Sequence, residues 1–214
     1  MARIEGSTGS LAEVESNSLA QRVTQRPMKV LAWNNAAALT GAMTGLPANA
    51  PIFSLRNTST NLILVRRVGI GFMTTTAFTA AQALDFGLAV ARGFTINDTA
   101  GTDISPTVNI TKRRTSLATP NVHIRIATAA ALTAGTRTLD TLNMSIAAGG
   151  SAGLATGLPP VPDNLFGHAS DDLAIVLAAN EGIVISSLTA MGAGGVVKAY
   201  IAVGYAEIVP ADYA

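Results

Sequence analysis

The sequence predicts an all-β chain: an antiparallel β-sandwich, jelly-roll-like, with an extended N-terminal arm. Three observations predict it. Large apolar residues recur every second position over several stretches, the period of a strand with one buried face. Helix-capping signals are absent between those stretches, and the connections are rich in Gly, Pro and Asn. The composition adds that 214 residues without a single cysteine must be held by a core. A chain of this length buries ~70% of its unfolded surface, so no disulfide or metal staple is needed. The expected organisation is an arm and extended segment over 1–50 and a sandwich domain over 51–214.

In chain order, the arm holds two short strand candidates, Leu11 to Val14 and Leu19 to Val23. Thr24 to Ala50, with the only tryptophan, Trp33, reads as extended. Ile52 to Arg56 is a further short strand. Leu62, Leu64, Val68, Ile70 and Phe72 then share one phase, interrupted by Arg66, and Ile63, Val65, Arg67, Gly69 and Gly71 share the other. Adjacent strand residues point to opposite faces, so Arg66 and Arg67 are expected on opposite sides, with one of them among apolar neighbours. Residues 74–79 form a wide connection. Leu84, Phe86, Leu88 and Val90 alternate with Asp85, Gly87, Ala89 and Ala91, the clearest strand in the chain. Val122 to Ala127 is a short strand. Alanine content suggests a helical turn over Thr128 to Ala134, and the Gly- and Pro-rich stretch from Ala147 to Leu165 reads as a surface connection. Leu173 to Ala179 and Ile183 to Leu188 flank a turn at Asn180-Glu181-Gly182, where Asn and Gly supply positive φ. The last strand runs from Val196 to Val209, with Val197, Ile201, Val203 and Tyr205 on one face, and Pro210 ends it.

Composition and charge narrow the function. The formal charge is +1 and only 13% of residues are charged, against ~25% in ordinary soluble domains. A general nucleic-acid coat or polybasic membrane binder needs a far stronger positive field. Hydrophobic residues reach 49% with only 5% aromatic, and mean hydropathy is +0.39; a surface so poorly protected by charge is expected to be covered by other protein. The opening Met1 to Gly6 carries an acid and lacks an apolar core, unlike a secretory signal. No apolar run reaches the length of a membrane span. Sequons at Asn57, Asn97, Asn109 and Asn143 read as chance in a threonine-rich chain.

Candidate chemistry is sparse. Gly149-Gly150-Ser151-Ala152-Gly153 matches the G-x-S-x-G elbow, which requires a strand-to-helix turn, an acid and a histidine. Only Asp163 and His168 follow in that order, and the surroundings are Gly- and Ala-rich rather than strand-turn-helix, so the match reads as fortuitous. His123 and His168 lie far apart without second ligands at helical spacing, and His123 reads as a strand residue. Asp98 and Asp103, with Gly101 between, resemble a loose calcium loop without the EF-hand order. Gly69-Ile70-Gly71 lacks the remainder of a dinucleotide fingerprint and marks a close backbone approach. Lys112-Arg113-Arg114 is the only basic run, read as a solvated loop or a contact with an acidic partner surface. No catalytic constellation, cofactor or metal site is nominated, so no enzyme is expected.

Several segments resemble structural proteins of tailed-bacteriophage virions. Ala2-Arg3-Ile4-Glu5-Gly6 with Gly9 and Ala12-Glu13-Val14 looks like the opening of such proteins. Leu84 to Thr99 is similar to an internal segment of the same group. So are Ile124 to Ala127 with Ala130 to Thr136, and Leu177 to Gly182 with the strand that follows. The resemblance covers about half the chain and implies a β-sandwich virion component. Its leading form is a capsid decoration or cement protein on an HK97-type shell, a homotrimer whose partners are the major capsid protein and copies of itself. It would be made in the bacterial cytoplasm and reside on the capsid exterior, without small-molecule substrate, nucleic acid or membrane. The alternative is a minor tail, baseplate or fibre-associated subunit. A carbohydrate-binding or hydrolytic sandwich would need an aromatic platform or paired carboxylates beyond Trp33. Residues expected to contact partners are Arg3, Ile4, Leu11 and Val14 in the arm, with Arg66, Arg67, Lys112, Arg113 and Arg114 in the sandwich.

Overall fold

The computed structural model describes residues 4–5, 11–14, 21–22, 30–106, 112–151, 163–167 and 174–212. Among them there is no α-helix, and so none long and apolar enough to cross a membrane. Three short strands, β1 (Ile4–Glu5), β2 (Leu11–Val14) and β3 (Gln21–Arg22), form an antiparallel sheet of their own. The remainder is a two-sheet sandwich. Its strands are β4 (Val30–Leu39), β5 (Ala50–Asn57), β6 (Leu62–Thr76), β7 (Gln82–Arg92), β8 (Thr102–Asp103), β9 (Val122–Ile126), β10 (Thr138–Leu139), β11 (Ser145–Ser151), β12 (Asp163–Gly167), β13 (Ile175–Leu177), β14 (Gly182–Ser187) and β15 (Val196–Ile208).

The first sheet runs β12-β6-β15-β4, with β13 also on the outer side of β6; the second runs β10-β7-β14-β5-β9-β8, with β11 also on β7. Every pairing is antiparallel. Consecutive strands cross from sheet to sheet except between β7 and β11, which share the second sheet, and between β12 and β13, which share the first. If β4, β5, β6, β7, β11, the β12/β13 pair, β14 and β15 are counted one to eight, the sheets read 1-8-3-6 and 2-7-4-5. That is the jelly-roll order, in which two Greek keys wrap a single core. The core draws from both sheets: Leu84, Phe86, Leu88 and Val90 of β7 and Ile183 and Ile185 of β14 meet Val197, Ile201, Val203 and Tyr205 of β15. Phe72 and Phe86 touch across the layers with ring centroids 5.1 Å apart.

Four expectations are corrected. Residue 50 is not the edge of the sandwich: β4 lies within the expected arm yet pairs along β15 from Val30 to Leu39, and Met43 and Leu46 behind it are buried. The stretch from Ala147 to Leu165 is not all connection, because β11 pairs with β7 and β12 with β6. Thr128 to Ala134 forms bends rather than a helical turn; Leu132 N–H donates to the Pro51 carbonyl and Thr133 pairs with Thr99, so its hydrogen bonds go to neighbouring segments. Finally, Arg66 and Arg67 do not straddle the sheet. The β6–β15 register jumps from Val65↔Tyr205 to Arg67↔Gly204, leaving Arg66 as the extra residue of a β-bulge. The buried set accordingly changes phase, Ile63 and Val65 before the bulge and Val68 and Ile70 after it. Neither arginine has to enter the core.

The turn before β14 follows the expectation in part. Asn180 takes φ of 59°, but Gly182 already lies in β14. There a Cβ would run into the Leu55 carbonyl and come within 2.8 Å of the Phe94 ring, so the glycine permits close packing rather than a turn.

Candidate functional site

The outer face of the first sheet brings together sequence features that lie far apart along the chain. Along β4, Ala32, Asn34 and Ala36 are buried, which turns Trp33 and Asn35 outward. The Arg66 guanidinium lies 5.8 Å from the Trp33 ring centroid. Arg113 reaches the same ring from the opposite side in sequence, 5.0 Å away. It does so because residues 112–118 run beside the free edge of β4: Arg113 N–H donates to the Trp33 carbonyl and Ala118 N–H to that of Leu31. Arg113 Nε and Nη2 both donate to Asn35 Oδ1, at 3.2 and 3.1 Å. Lys112 is used locally, its ammonium donating to the Leu117 carbonyl at 2.9 Å, while Arg114 is exposed. Arg67 sits across β15 from Asn35, with Gly204 between them. A Cβ at Gly204 would lie 3.2 Å from Asn35 Oδ1 and 3.8 Å from Arg67 Cβ, so glycine lets the flanking side chains close over β15.

The pair Arg66-Arg67 and the run Lys112 to Arg114, separate in the sequence, therefore each bring one arginine to Trp33, and that convergence was invisible in the sequence. Trp33 was legible only as the lone tryptophan. Of the arm residues, Ile4 lies in β1 and Leu11 and Val14 in β2; Arg3 lies outside the described residues.

A second polar cluster lies on the outer face of the other sheet. His123 on β9 pairs across from Arg56 on β5, and its Nε2 is 3.3 Å from Asp103 Oδ2. Arg125 also meets Asp103, at 3.6 Å. Arg56 donates to Asn97 Oδ1 and Asn180 Oδ1, both at 2.7 Å, and burial pulls its pKa down. Burial also lowers His123, helped by the charges of Arg125 and Arg56 and only partly offset by Asp103. For Asp103, burial pushes upward, but hydrogen bonds from Ser105 and the charges of His123 and Arg125 outweigh it, and its pKa falls. The serine nearest this His–Asp pair is not aimed at the histidine: Ser105 Oγ accepts from the Ile124 amide at 2.8 Å.

The remaining motifs resolve into structure. Asp98 and Asp103 do not share a site. Asp98 is buried and bound to Arg137, a side chain itself nearly inaccessible, and burial lowers Arg137 to about 10. Arg137 also stacks on Phe94, 4.8 Å from its centroid. This pair ties the loops after β7 and before β10 over the second sheet, where Phe94, Ala91 and Val184 form a small satellite core. Gly149 to Ser151 lies in β11, paired with Leu84 to Gln82, not on a strand-to-helix elbow; His168 lies outside the described residues. Gly69 and Gly71 sit within β6, opposite Ala202 and Tyr200. Among the described residues, no group of three His, Asp or Glu is placed to hold a metal. The chain matches no known family of proteins and no curated protein.

Proposed function

We propose that the chain is a structural subunit of a tailed-bacteriophage virion, a decoration or cement protein bound as a homotrimer to the outside of an HK97-type shell. One observation carries the subunit character. Leu142, Met144 and Ile146 are 80%, 49% and 58% exposed, at alternate positions leading into β11, which lies on the outer side of β7 in its sheet. No charged residue occurs anywhere over 141–162. Monomeric sandwiches guard such margins with charge, proline or cover, and an exposed apolar row is an association surface. The virion assignment is supported by the segments that resemble phage structural proteins, since these supply β7, β9 and the β13–β14 turn of the sandwich.

A cement protein works by mass action. If it binds the expanded shell and not the precursor, bound copies stabilise the expanded state by RT ln(1 + [L]/Kd) per site. The experiment is the copy number in purified virions, measured by quantitative mass spectrometry against the major capsid protein. A number comparable to that protein is expected. A number far below it overturns the cement reading in favour of the tail, and absence from virions overturns both.

A further inference from the structure

We propose that the outer face of the first sheet, centred on Trp33, is a docking surface for a carboxylate-bearing protein surface, with Arg113 and Arg114 carrying the charge and Trp33 the anchor. The inference deepens the virion reading by naming the face that meets the partner, and it rests on that reading only for the partner's identity.

Charge distribution is the first support. Arg66, Arg67, Lys112, Arg113, Arg114 and Lys198 lie on this sheet or along its β4 edge. Among the described side chains, Asp85, Asp98, Asp103, Asp140 and Glu181 all lie on the second sheet or its connections. Glu207, the one carboxylate of the first sheet with a described side chain, is buried and accepts from Ser59, Asn61 and Asn121. The carboxylates of the second sheet are accompanied by Arg56, Arg92, Arg125 and Arg137, whereas Arg113 and Arg114 are exposed with no carboxylate partner among the described residues, positive charge that steers an acidic partner and fixes its orientation.

The second support is what holds Arg113. Its partners are neutral, the Asn35 amide oxygen and the Trp33 ring, so the guanidinium is oriented without its charge being cancelled. A fixed, planar donor set of this kind suits a carboxylate. The third is shape. Beside Trp33 the floor is small, with Ala206, Gly204, Ala202 and Ala37 along the β15–β4 register, and a tryptophan with arginines over such a floor matches the composition of binding hot spots. Nucleic acid fits less well, because stacking needs open aromatic faces and the lone tryptophan is already approached by two guanidinium groups.

Trp33 is the only tryptophan, so its fluorescence reports on this face alone. The full chain is titrated with poly-L-glutamate at low salt, with a DNA duplex of equal charge as competitor probe. Saturable change in Trp33 emission with poly-L-glutamate is expected, weakening with added salt. Arg114→Gln should weaken it measurably, and Arg113→Gln with Arg114→Gln by roughly tenfold, while Arg92→Gln on the other sheet leaves it unchanged. Arg114 is exposed, so that variant keeps the fold, and equal thermal melting checks it. No emission change, equal binding by the arginine variants, or tighter binding of DNA overturns the proposal. Failure here with a high virion copy number would refute the face and leave the virion reading intact.

Discussion

His123 shows how one strand position sets a pH response. It lies opposite Arg56 and two positions from Arg125 on its own strand, with Asp103 the one carboxylate at its ring among the described residues. Burial and the two arginines hold its pKa below the ordinary imidazole value. The folded protein therefore binds fewer protons than the unfolded chain in the interval between that lowered value and about 6.5. Stability from this group is complete above about pH 6.5 and falls as pH drops through the folded value. Denaturant midpoints at pH about 7.5, 6.5 and 5.5 should decline on acidification in the parent protein and decline less in His123→Gln, which keeps a donor toward Asp103. Equal declines would remove His123 as the cause, since His168 is common to both proteins. Asp103 acts in a separate, more acidic window: its lowered pKa means its contribution is lost only as pH falls below about 3.9. At this scale the sequence was informative about type but not company. It marked His123 as a strand residue, whereas its cross-strand neighbours depend on register between β5 and β9.

Strand elements were legible where the buried side chains are large. The alternation of Leu84, Phe86, Leu88 and Val90 located β7, and Val197 to Tyr205 located β15, because each large residue faces the core. β4 and β11 escaped for the converse reason. The inward positions of β4 are Ala32, Asn34 and Ala36 while Trp33 faces out, and in β11 Ala147 is buried while Ile146 is exposed; hydrophobic alternation is inverted or missing in both. The bulge in β6 was hidden differently, since two arginines in a row look like one residue on each face unless the register breaks between their neighbours. That break makes a sharp prediction. Deleting Arg66 leaves Val65 beside Arg67, which restores unbroken alternation and the pairing of both with Tyr205 and Gly204. The variant should fold with a loss of no more than about 2 kcal/mol, chiefly from the Trp33 contact and local twist. Deleting Gly69 instead inverts the face of one arm of the strand and should prevent folding. Circular dichroism and denaturant melts compare the two; an unfolded Arg66 deletion would mean the bulge is required.

Taken as a whole, the chain is a charge-poor jelly roll with Arg113 and Arg114 exposed beside Trp33 on one sheet, its apolar row beside β11, and a separate set of strands ahead of it. The composition announced the low charge, and runs of arginine announced basic contacts. Their assembly around Trp33 required β4 to join the sheet and residues 112–118 to run beside it, which is tertiary information. The same scale separates the N-terminal strands from the sandwich. β1 pairs with β2 and β2 with β3, and among the described residues none of the three joins a sandwich sheet. The eight-strand order closes its core from β4 onward, so the sandwich has no need of what precedes it. Removing residues 2–23 should therefore preserve a single cooperative melt, with a midpoint shift under about 4 °C, equivalent to no more than ~1 kcal/mol for a chain of this size. Under the cement reading the same truncation should reduce attachment to expanded shells in a co-sedimentation assay, because an arm engaging a neighbour adds contacts that the sandwich alone cannot make. A truncated protein that melts normally and attaches as well as the full chain would confine docking to the sandwich. One that loses cooperative melting would show instead that the arm belongs to the fold.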